Sequence, residues 1–150
     1  MAGGASWELG SVARFFGTYE HSLDSKGRVI LPARFRTAFE HGGYLTQFRD
    51  GCLALWTPEQ FEIQMEEVQA RAATGRADRN MARLWAAGTQ DLEVDRQGRM
   101  VLPARMREYA GLENDVVVVG VIDRVELWDP ARWAEKIGPE EQRLSEGADD

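Results

Sequence analysis

Two arginines that each follow a glycine are the residues of this chain best suited to bind another molecule. Arg28 lies four residues after Asp24, and Arg99 has the same relation to Asp95. An arginine guanidinium can donate paired hydrogen bonds to a guanine edge or to a phosphate. The alternative is an internal ion pair between each arginine and its aspartate, which would only stiffen the turn and would stabilise the fold weakly if exposed.

Both arginines belong to a 13-residue motif that occurs twice, 71 residues apart. Residues 24–36 read DSKGRVILPARFR and residues 95–107 read DRQGRMVLPARMR, with eight identical positions. The likeness extends outward, since Leu-Trp-Thr-Pro at 55–58 matches Leu-Trp-Asp-Pro at 127–130. One unit has therefore been duplicated in tandem, so the surface that it forms is formed twice.

The charge of the chain is distributed unevenly. The whole chain has a net charge of −7, yet each motif carries +3, so the other 124 residues carry −13. Surface charges are screened over about 8 Å at physiological salt, so local sign can outweigh distant net charge. The motifs can therefore attract a polyanion despite the acidic body. Their cations are Lys26, Arg28, Arg34, Arg36, Arg96, Arg99, Arg105 and Arg107.

Short strands and helices position the two motifs. Gly27 and Gly98 supply the turn position at which a positive φ would strain other residues. The apolar strands after each turn end at Pro32 and Pro103, which suit the first position of a short helix. A hairpin follows in each repeat, and the spacing of apolar residues over 58–87 predicts two linker helices. The fold class predicted is mainly β with flanking helices (α+β).

These signals divide the chain into five segments. A repeat of about 45–50 residues is marginal by itself, so we expect the two repeats to share one core. The last segment is rich in Glu and Asp, and we expect it to be disordered. The segments are an N-terminal extension at 1–14, a first repeat at 15–61, a helical linker at 62–87, a second repeat at 88–137 and an acidic tail at 138–150.

Catalysis, metal binding and membrane insertion have little support in the sequence. His21 and His41 have no partner at metal-ligand spacing, and Cys52, the single cysteine, fits an apolar core strand and a reducing cytoplasm. No apolar run is long enough to span a bilayer. We expect a cytoplasmic protein that is not an enzyme and has no cofactor, no metal and no small-molecule substrate.

The duplicated motif, followed each time by Leu-Trp-x-Pro, resembles that of the MraZ family over about residues 15–137. Members of this family are tandem modules of the AbrB/SpoVT/MazE type. The resemblance implies a swapped-hairpin, double-ψ β barrel in which the two repeats interleave within one chain.

The resemblance also implies a function. It predicts a bacterial transcriptional regulator of the division and cell-wall gene cluster that is associated with the nucleoid. Such proteins assemble into homo-oligomeric rings and bind short direct repeats in double-stranded DNA. Carried onto this sequence, Arg28 and Arg99 are the DNA contacts. Asp24 and Asp95, with Gly27 and Gly98, would orient the loops.

The remaining cations are weaker candidates for DNA contacts. Lys26 and Arg96 are loop cations suited to phosphate attraction, and Gln97 replaces Lys26 in the second repeat. The short-helix arginines could instead form solvated faces, although Arg36 and Arg107 are favoured as phosphate contacts over Arg34 and Arg105. A second class of function stays open, namely a protein-interaction module, either an antitoxin-like partner binder or a ring scaffold.

Overall fold

The computed structural model describes residues 13–147, so most of the expected N-terminal extension lies outside the described residues, as do residues 148–150. The strands are β1 (Phe15–Ser22), β2 (Arg28–Ile30), β3 (Gly43–Phe48), β4 (Cys52–Trp56), β5 (Gln90–Leu92), β6 (Arg99–Val101), β7 (Asp115–Ile122) and β8 (Val125–Trp128). The helices are α1 (Ala33–Arg36), α2 (Pro58–Ala72), α3 (Arg76–Gly88), α4 (Ala104–Ala110) and α5 (Pro130–Ser145). The predicted α+β class is confirmed.

The two repeats exchange strands within a six-stranded antiparallel sheet of order β1-β7-β8-β4-β3-β5. The first strand of each repeat pairs with the other repeat: β1 with β7, and β5 with β3. At the centre, β4 pairs with β8. The predicted interleaving of two repeats is therefore confirmed. Among the described residues pairing stops at β1 and β5, so closure of this sheet into a barrel is not observed.

A separate two-stranded ribbon is formed by β2 and β6, one strand from each repeat. The N–H of Leu31 donates to the carbonyl oxygen of Gly98 at 2.7 Å, and the N–H of Leu102 donates to that of Gly27 at 2.9 Å. The end of each ribbon strand is thus bonded to the turn of the other repeat. This exchange gives the ribbon an approximate twofold symmetry.

One hydrophobic core is shared by the two repeats, as predicted. Val29 and Met100 of the ribbon point into it and are 1% and 0% exposed. Leu53 and Leu127 face them from the central strands of the sheet, and both are fully buried. Full burial of one such aliphatic side chain is worth about 1.5–3 kcal/mol. The ribbon is therefore held against the sheet by contributions from both halves of the chain.

Helices cover the opposite face of the large sheet. The ring of Phe61 on α2 stacks between Tyr44 of β3 and Trp85 of α3, with centroid separations of 4.0 and 5.0 Å. On the other half of the sheet, Trp133 of α5 packs against Trp128 at 5.5 Å. The linker helices and α5 therefore each close part of the face that the ribbon does not cover.

The helix starts follow the signals in the sequence. The side chain of Thr57 accepts the N–H of Gln60 at 3.2 Å, and that of Asp129 accepts the N–H of Arg132 at 3.1 Å. Each cap is followed by a proline at the start of its helix, where the missing N–H costs no internal hydrogen bond. The two predicted linker helices are present as α2 and α3.

The end of the chain differs from the prediction. The composition of residues 138–150 predicts a disordered tail, yet α5 continues to Ser145 with Pro139 inside it. The proline removes one backbone hydrogen bond, but the next turn is supported by an ion pair between Arg143 and Glu140 at 2.7 Å. Acidic composition alone therefore did not prevent helix formation over 138–145.

The described helices include none with both the length and the apolar character that crossing a bilayer requires.

Candidate nucleic-acid interface

The turn at residues 24–28 is built around one carboxylate. Oδ1 of Asp24 accepts the backbone N–H groups of Lys26 and Arg28, both at 2.9 Å, and Oδ2 accepts Nε of Arg28 at 2.7 Å. Backbone hydrogen bonds from Gly27 to Asp24 and from Asp24 to Arg28 close the turn at 3.0 and 2.9 Å. These bonds fix the direction in which the arginine leaves the turn.

The turn at residues 95–99 repeats this geometry. Oδ1 of Asp95 accepts the N–H groups of Gln97 and Arg99, both at 2.9 Å, and Oδ2 accepts Nε of Arg99 at 2.7 Å. The third residue of the turn contributes its backbone N–H, so Gln97 can replace Lys26 without altering the turn. The side chain of Lys26 is therefore not needed to shape the loop, although its backbone N–H is.

The same hydrogen bonds set the ionisation of the two aspartates. The pKa of Asp24 is lowered from its ordinary value, chiefly because its carboxylate accepts the backbone N–H of Arg28, with a further contribution from the Arg28 side chain. The pKa of Asp95 is lowered for the same reasons, with Arg99 as the donor. Partial desolvation opposes both shifts. Both aspartates are therefore stabilised as carboxylates in the folded turn.

The pairing of β2 with β6 brings both arginines onto one surface. Arg28 lies opposite Val101, and Ile30 lies opposite Arg99. Side chains alternate between the two faces of a strand, so these four share the outer face while the residues between them point into the core. Arg28 and Arg99 are therefore diagonal neighbours on a ribbon that faces away from the core.

The terminal nitrogens of Arg28 and Arg99 are accessible to another molecule. The internal ion pair that was the alternative interpretation is present in both turns, and the side chains of Arg28 and Arg99 are 24% and 33% exposed. In each ion pair only Nε of the arginine donates to the aspartate. The terminal nitrogens of both guanidinium groups have no hydrogen bond to any residue between 13 and 147. The two terminal nitrogens of each fork can therefore donate to an external acceptor.

Arg36 and Arg107 reach the turn of the other repeat. Each donates its Nε–H to the carbonyl oxygen five residues earlier, at 2.8 Å for Arg36 and 2.9 Å for Arg107. The Arg107 guanidinium then lies over Gly27, where an added Cβ would be 3.0 Å from Cζ. Arg36 lies over Gly98 even more closely. Both side chains are half-buried, so neither lies on the solvated helix face that was the alternative to a phosphate contact.

The other predicted cations lie on the exterior. Nη1 of Arg34 donates to the hydroxyl oxygen of Tyr19 at 3.1 Å, which ties this side chain to β1. Lys26, Arg96 and Arg105 are exposed. The structure therefore brings Arg28 and Arg99 together on one ribbon face, with the loop cations Lys26 and Arg96 in the two turns beside it.

Two residues of the outer face were missed by sequence reasoning. Val101 is 59% exposed, which is unusual for a valine in a strand, and Ile30 is half-buried. The sequence predicted the strands containing them only as brief apolar segments. The signal that could have found them is alternation: once Val29 and Met100 are assigned to the core, their neighbours must face outward.

The described residues offer little for catalysis or metal binding. Between residues 13 and 147, no cluster of three or more His, Cys, Asp or Glu residues could hold a metal ion. Cys52 is fully buried, and burial raises the pKa of its thiol. A buried thiol of raised pKa is a poor nucleophile.

Comparison with known proteins matches both repeats to one family. The family described as "MraZ protein, putative antitoxin-like" matches residues 14–84 and again residues 85–149. The two matches meet between residues 84 and 85, inside α3 and close to the predicted junction of linker and second repeat.

Individual relatives carry one functional name. A transcriptional regulator MraZ from a Nocardioides species is 45% identical over 121 residues, which cover 81% of this chain and 84% of the relative. A protein of the same name from Acetivibrio thermocellus is 40% identical over 126 residues, covering 84% and 88%. Another from Micrococcus luteus is 38% identical over 136 residues, covering 91% and 95%.

Proposed function

The chain belongs to the MraZ family, and from this premise we propose that it regulates transcription by binding double-stranded DNA through the outer face of the β2–β6 ribbon. The observation that carries this proposal is that each repeat supplies one arginine, Arg28 or Arg99, to the same exposed face. Both are held by matching hydrogen bonds to an aspartate. Duplication of this geometry favours a ligand that is itself repetitive.

The ribbon has the form and the donors for reading DNA. The major groove of B-DNA admits a two-stranded β-ribbon, and an arginine can donate two hydrogen bonds to a guanine edge there. The terminal nitrogens of Arg28 and Arg99, which have no hydrogen-bond partner within the described residues 13–147, suit this role. Lys26 and Arg96, in the turns on either side, are exposed point charges suited to phosphates. The acidic remainder of the chain would discourage DNA from binding elsewhere.

We further propose that several chains assemble into a ring and that the ring binds short direct repeats in the promoter of the division and cell-wall gene cluster. Linked weak sites gain effective concentration without new contacts, so a ring suits tandem repeats. The exposed apolar side chains of the linker helices, Ile63, Met81 and Leu84, offer a surface for this assembly. A DNA partner implies a location in the cytoplasm, at the nucleoid.

The decisive experiment compares Arg28→Ala and Arg99→Ala with the wild type. The DNA is a fragment recovered by selection from a genomic pool. We expect each substitution to weaken binding by roughly 5- to 150-fold, the effect of losing one bidentate base contact. Arg79→Ala is the matched control, since Arg79 is an exposed arginine on α3 away from the ribbon. Unchanged affinity in both ribbon variants would show that this face does not bind DNA.

A second candidate is a protein partner, which the family description "putative antitoxin-like" favours. Salt separates the two classes. Binding of DNA through 6–10 phosphate contacts should weaken by about 10³–10⁵ between 50 and 200 mM salt. A partner held by an apolar surface would show a much shallower dependence. Measurement of affinity across this salt range therefore decides between them.

A further inference from the structure

We propose that Arg36 and Arg107 are positioning residues that act across the repeats: Arg36 holds the turn that carries Arg99, and Arg107 holds the turn that carries Arg28. The effect on DNA affinity rests on the proposed function. The effect on the turns themselves does not, so the two can fail separately.

The case for Arg36 rests on how the Gly98 peptide is held. The carbonyl oxygen of Gly98 accepts the N–H of Leu31 at 2.7 Å. The carbonyl oxygen of Leu31 in turn accepts Nε of Arg36 at 2.8 Å, and the Arg36 guanidinium lies against Gly98 where a Cβ would be. The first repeat therefore holds this peptide from two directions. Gly98 immediately precedes Arg99, so a shift of the peptide would move that arginine.

The second repeat holds the first turn in the same way. The carbonyl oxygen of Gly27 accepts the N–H of Leu102 at 2.9 Å, and that of Leu102 accepts Nε of Arg107 at 2.9 Å. Three atoms of the Arg107 guanidinium lie 3.0–3.2 Å from the position of a Cβ on Gly27. The arrangement is therefore reciprocal.

Two features favour glycine and arginine as the partners in this contact. Gly27 and Gly98 have φ values of +74° and +82°, so glycine is favoured by the backbone as well as by the guanidinium above it. A guanidinium is planar and can lie flat on a peptide while its Nε donates sideways, which a lysine ammonium cannot do. Lysine would keep the charge at this position but lose the planar group that lies over the glycine.

The consequence is that neither repeat can form its half of the ribbon face alone. Arg28 is oriented by Asp24 from its own repeat and by Arg107 from the other, and Arg99 is oriented in the corresponding way. A shift of the short helix in one repeat should therefore change the orientation of the ribbon arginine in the opposite repeat.

The test uses Arg36→Lys and Arg107→Lys in the full chain, with amide hydrogen exchange followed by NMR. Arg36→Lys should speed exchange of the Gln97 and Arg99 amides by about fivefold, the change expected when one modest contact is lost. It should leave the Lys26 and Arg28 amides unchanged, and Arg107→Lys should give the reverse pattern. Faster exchange in the substituted residue's own repeat, or equally in both, would overturn the proposal.

A double-mutant cycle supplies the functional readout, with the selected DNA fragment as the probe. Arg36→Lys should lower affinity by about fivefold in the wild type and in an Arg28→Ala background. In an Arg99→Ala background it should have no further effect, because the arginine that it positions is gone. Equal losses in both backgrounds would instead indicate a direct phosphate contact by Arg36 and would overturn the positioning role.

Two safeguards keep the outcomes distinct. If a lysine variant fails to fold, Arg36→Gln and Arg107→Gln, which retain an amide donor, enter the same exchange experiment with the same expected pattern. If Arg28→Ala and Arg99→Ala both bind DNA normally, the proposed function fails, and the crossed exchange pattern still decides whether Arg36 and Arg107 hold the opposite turns.

Discussion

At the scale of single residues, the aspartates explain why the two turns have the same geometry. Each carboxylate accepts two backbone N–H groups and one arginine Nε–H. Two of these three donors belong to the backbone. The third residue of the turn can therefore be lysine, as at Lys26, or glutamine, as at Gln97. The arginine must be retained, because its Nε–H is the side-chain donor to the aspartate in each turn.

The lowered pKa values lead to a pH prediction. A carboxyl group whose pKa is lowered by folding stabilises the fold at any pH above its pKa in the unfolded chain. This contribution is lost as the pH falls through the lowered pKa of the folded state. NMR titration should therefore give midpoints below 3.8 for Asp24 and Asp95. The Arg28→Ala variant should raise the midpoint of Asp24, yet leave it below 3.8, because the backbone donors remain. A midpoint at or above 3.8 in the wild type would contradict the turn geometry.

At the scale of elements, the β2–β6 ribbon turns two distant motifs into one surface. The register places an aliphatic side chain opposite each potential base contact, the exposed Val101 opposite Arg28 and the half-buried Ile30 opposite Arg99. In a major groove such a side chain could contact a thymine methyl group. The ribbon is also pinned to the core by Val29 and Met100, so its outer face is presented on a rigid support.

A charge placed on this face tests its orientation. Val101→Asp should weaken DNA binding by about tenfold or more, because a carboxylate on the ribbon opposes the phosphates. The fold should survive, since Val101 is 59% exposed. Leu144→Asp is the matched control, with the same change at a side chain that is 75% exposed on α5. Comparable losses of affinity in both variants would argue against a ribbon-specific contact.

At the scale of the whole molecule, the linker helices leave a hollow of about 420 Å³ between themselves and the end of β3. Phe48, Val68 and Trp85 contribute apolar walls, and Met81 and Leu84 are exposed at its side. This surface lies on the helical layer, on the opposite side of the sheet from the ribbon. Assembly through it would leave the ribbon faces free for DNA.

Leu84→Asp tests this assembly surface. We expect the variant to give a smaller species by light scattering, because a carboxylate would be buried in the contact between chains. Its affinity for tandem repeats should fall towards that for a single repeat, since effective concentration alone can contribute about 10²–10⁴. Ala86→Asp, on the exposed opposite side of α3, serves as the control. An unchanged mass for Leu84→Asp would place the assembly surface elsewhere.

Much of the local structure follows from short stretches of sequence. The turn glycines, the caps at Thr57 and Asp129, and the two hairpins are each encoded within a few residues, because their hydrogen bonds are local. The acidic end of α5 is the exception. There the acidic composition predicts disorder, but the ion pair between Glu140 and Arg143 supports the helical turn after Pro139.

The sequence alone determines that the arginine turn is duplicated, that it is locally basic and which family the chain resembles, because each of these depends on short runs of consecutive residues. Which turn each half-buried arginine supports was decided only by the tertiary structure. The two motifs are so alike that Arg36 could equally have been assigned to the glycine of its own repeat. Strand exchange brings it to Gly98 instead, since that contact depends on the path of the chain over some 60 residues between them.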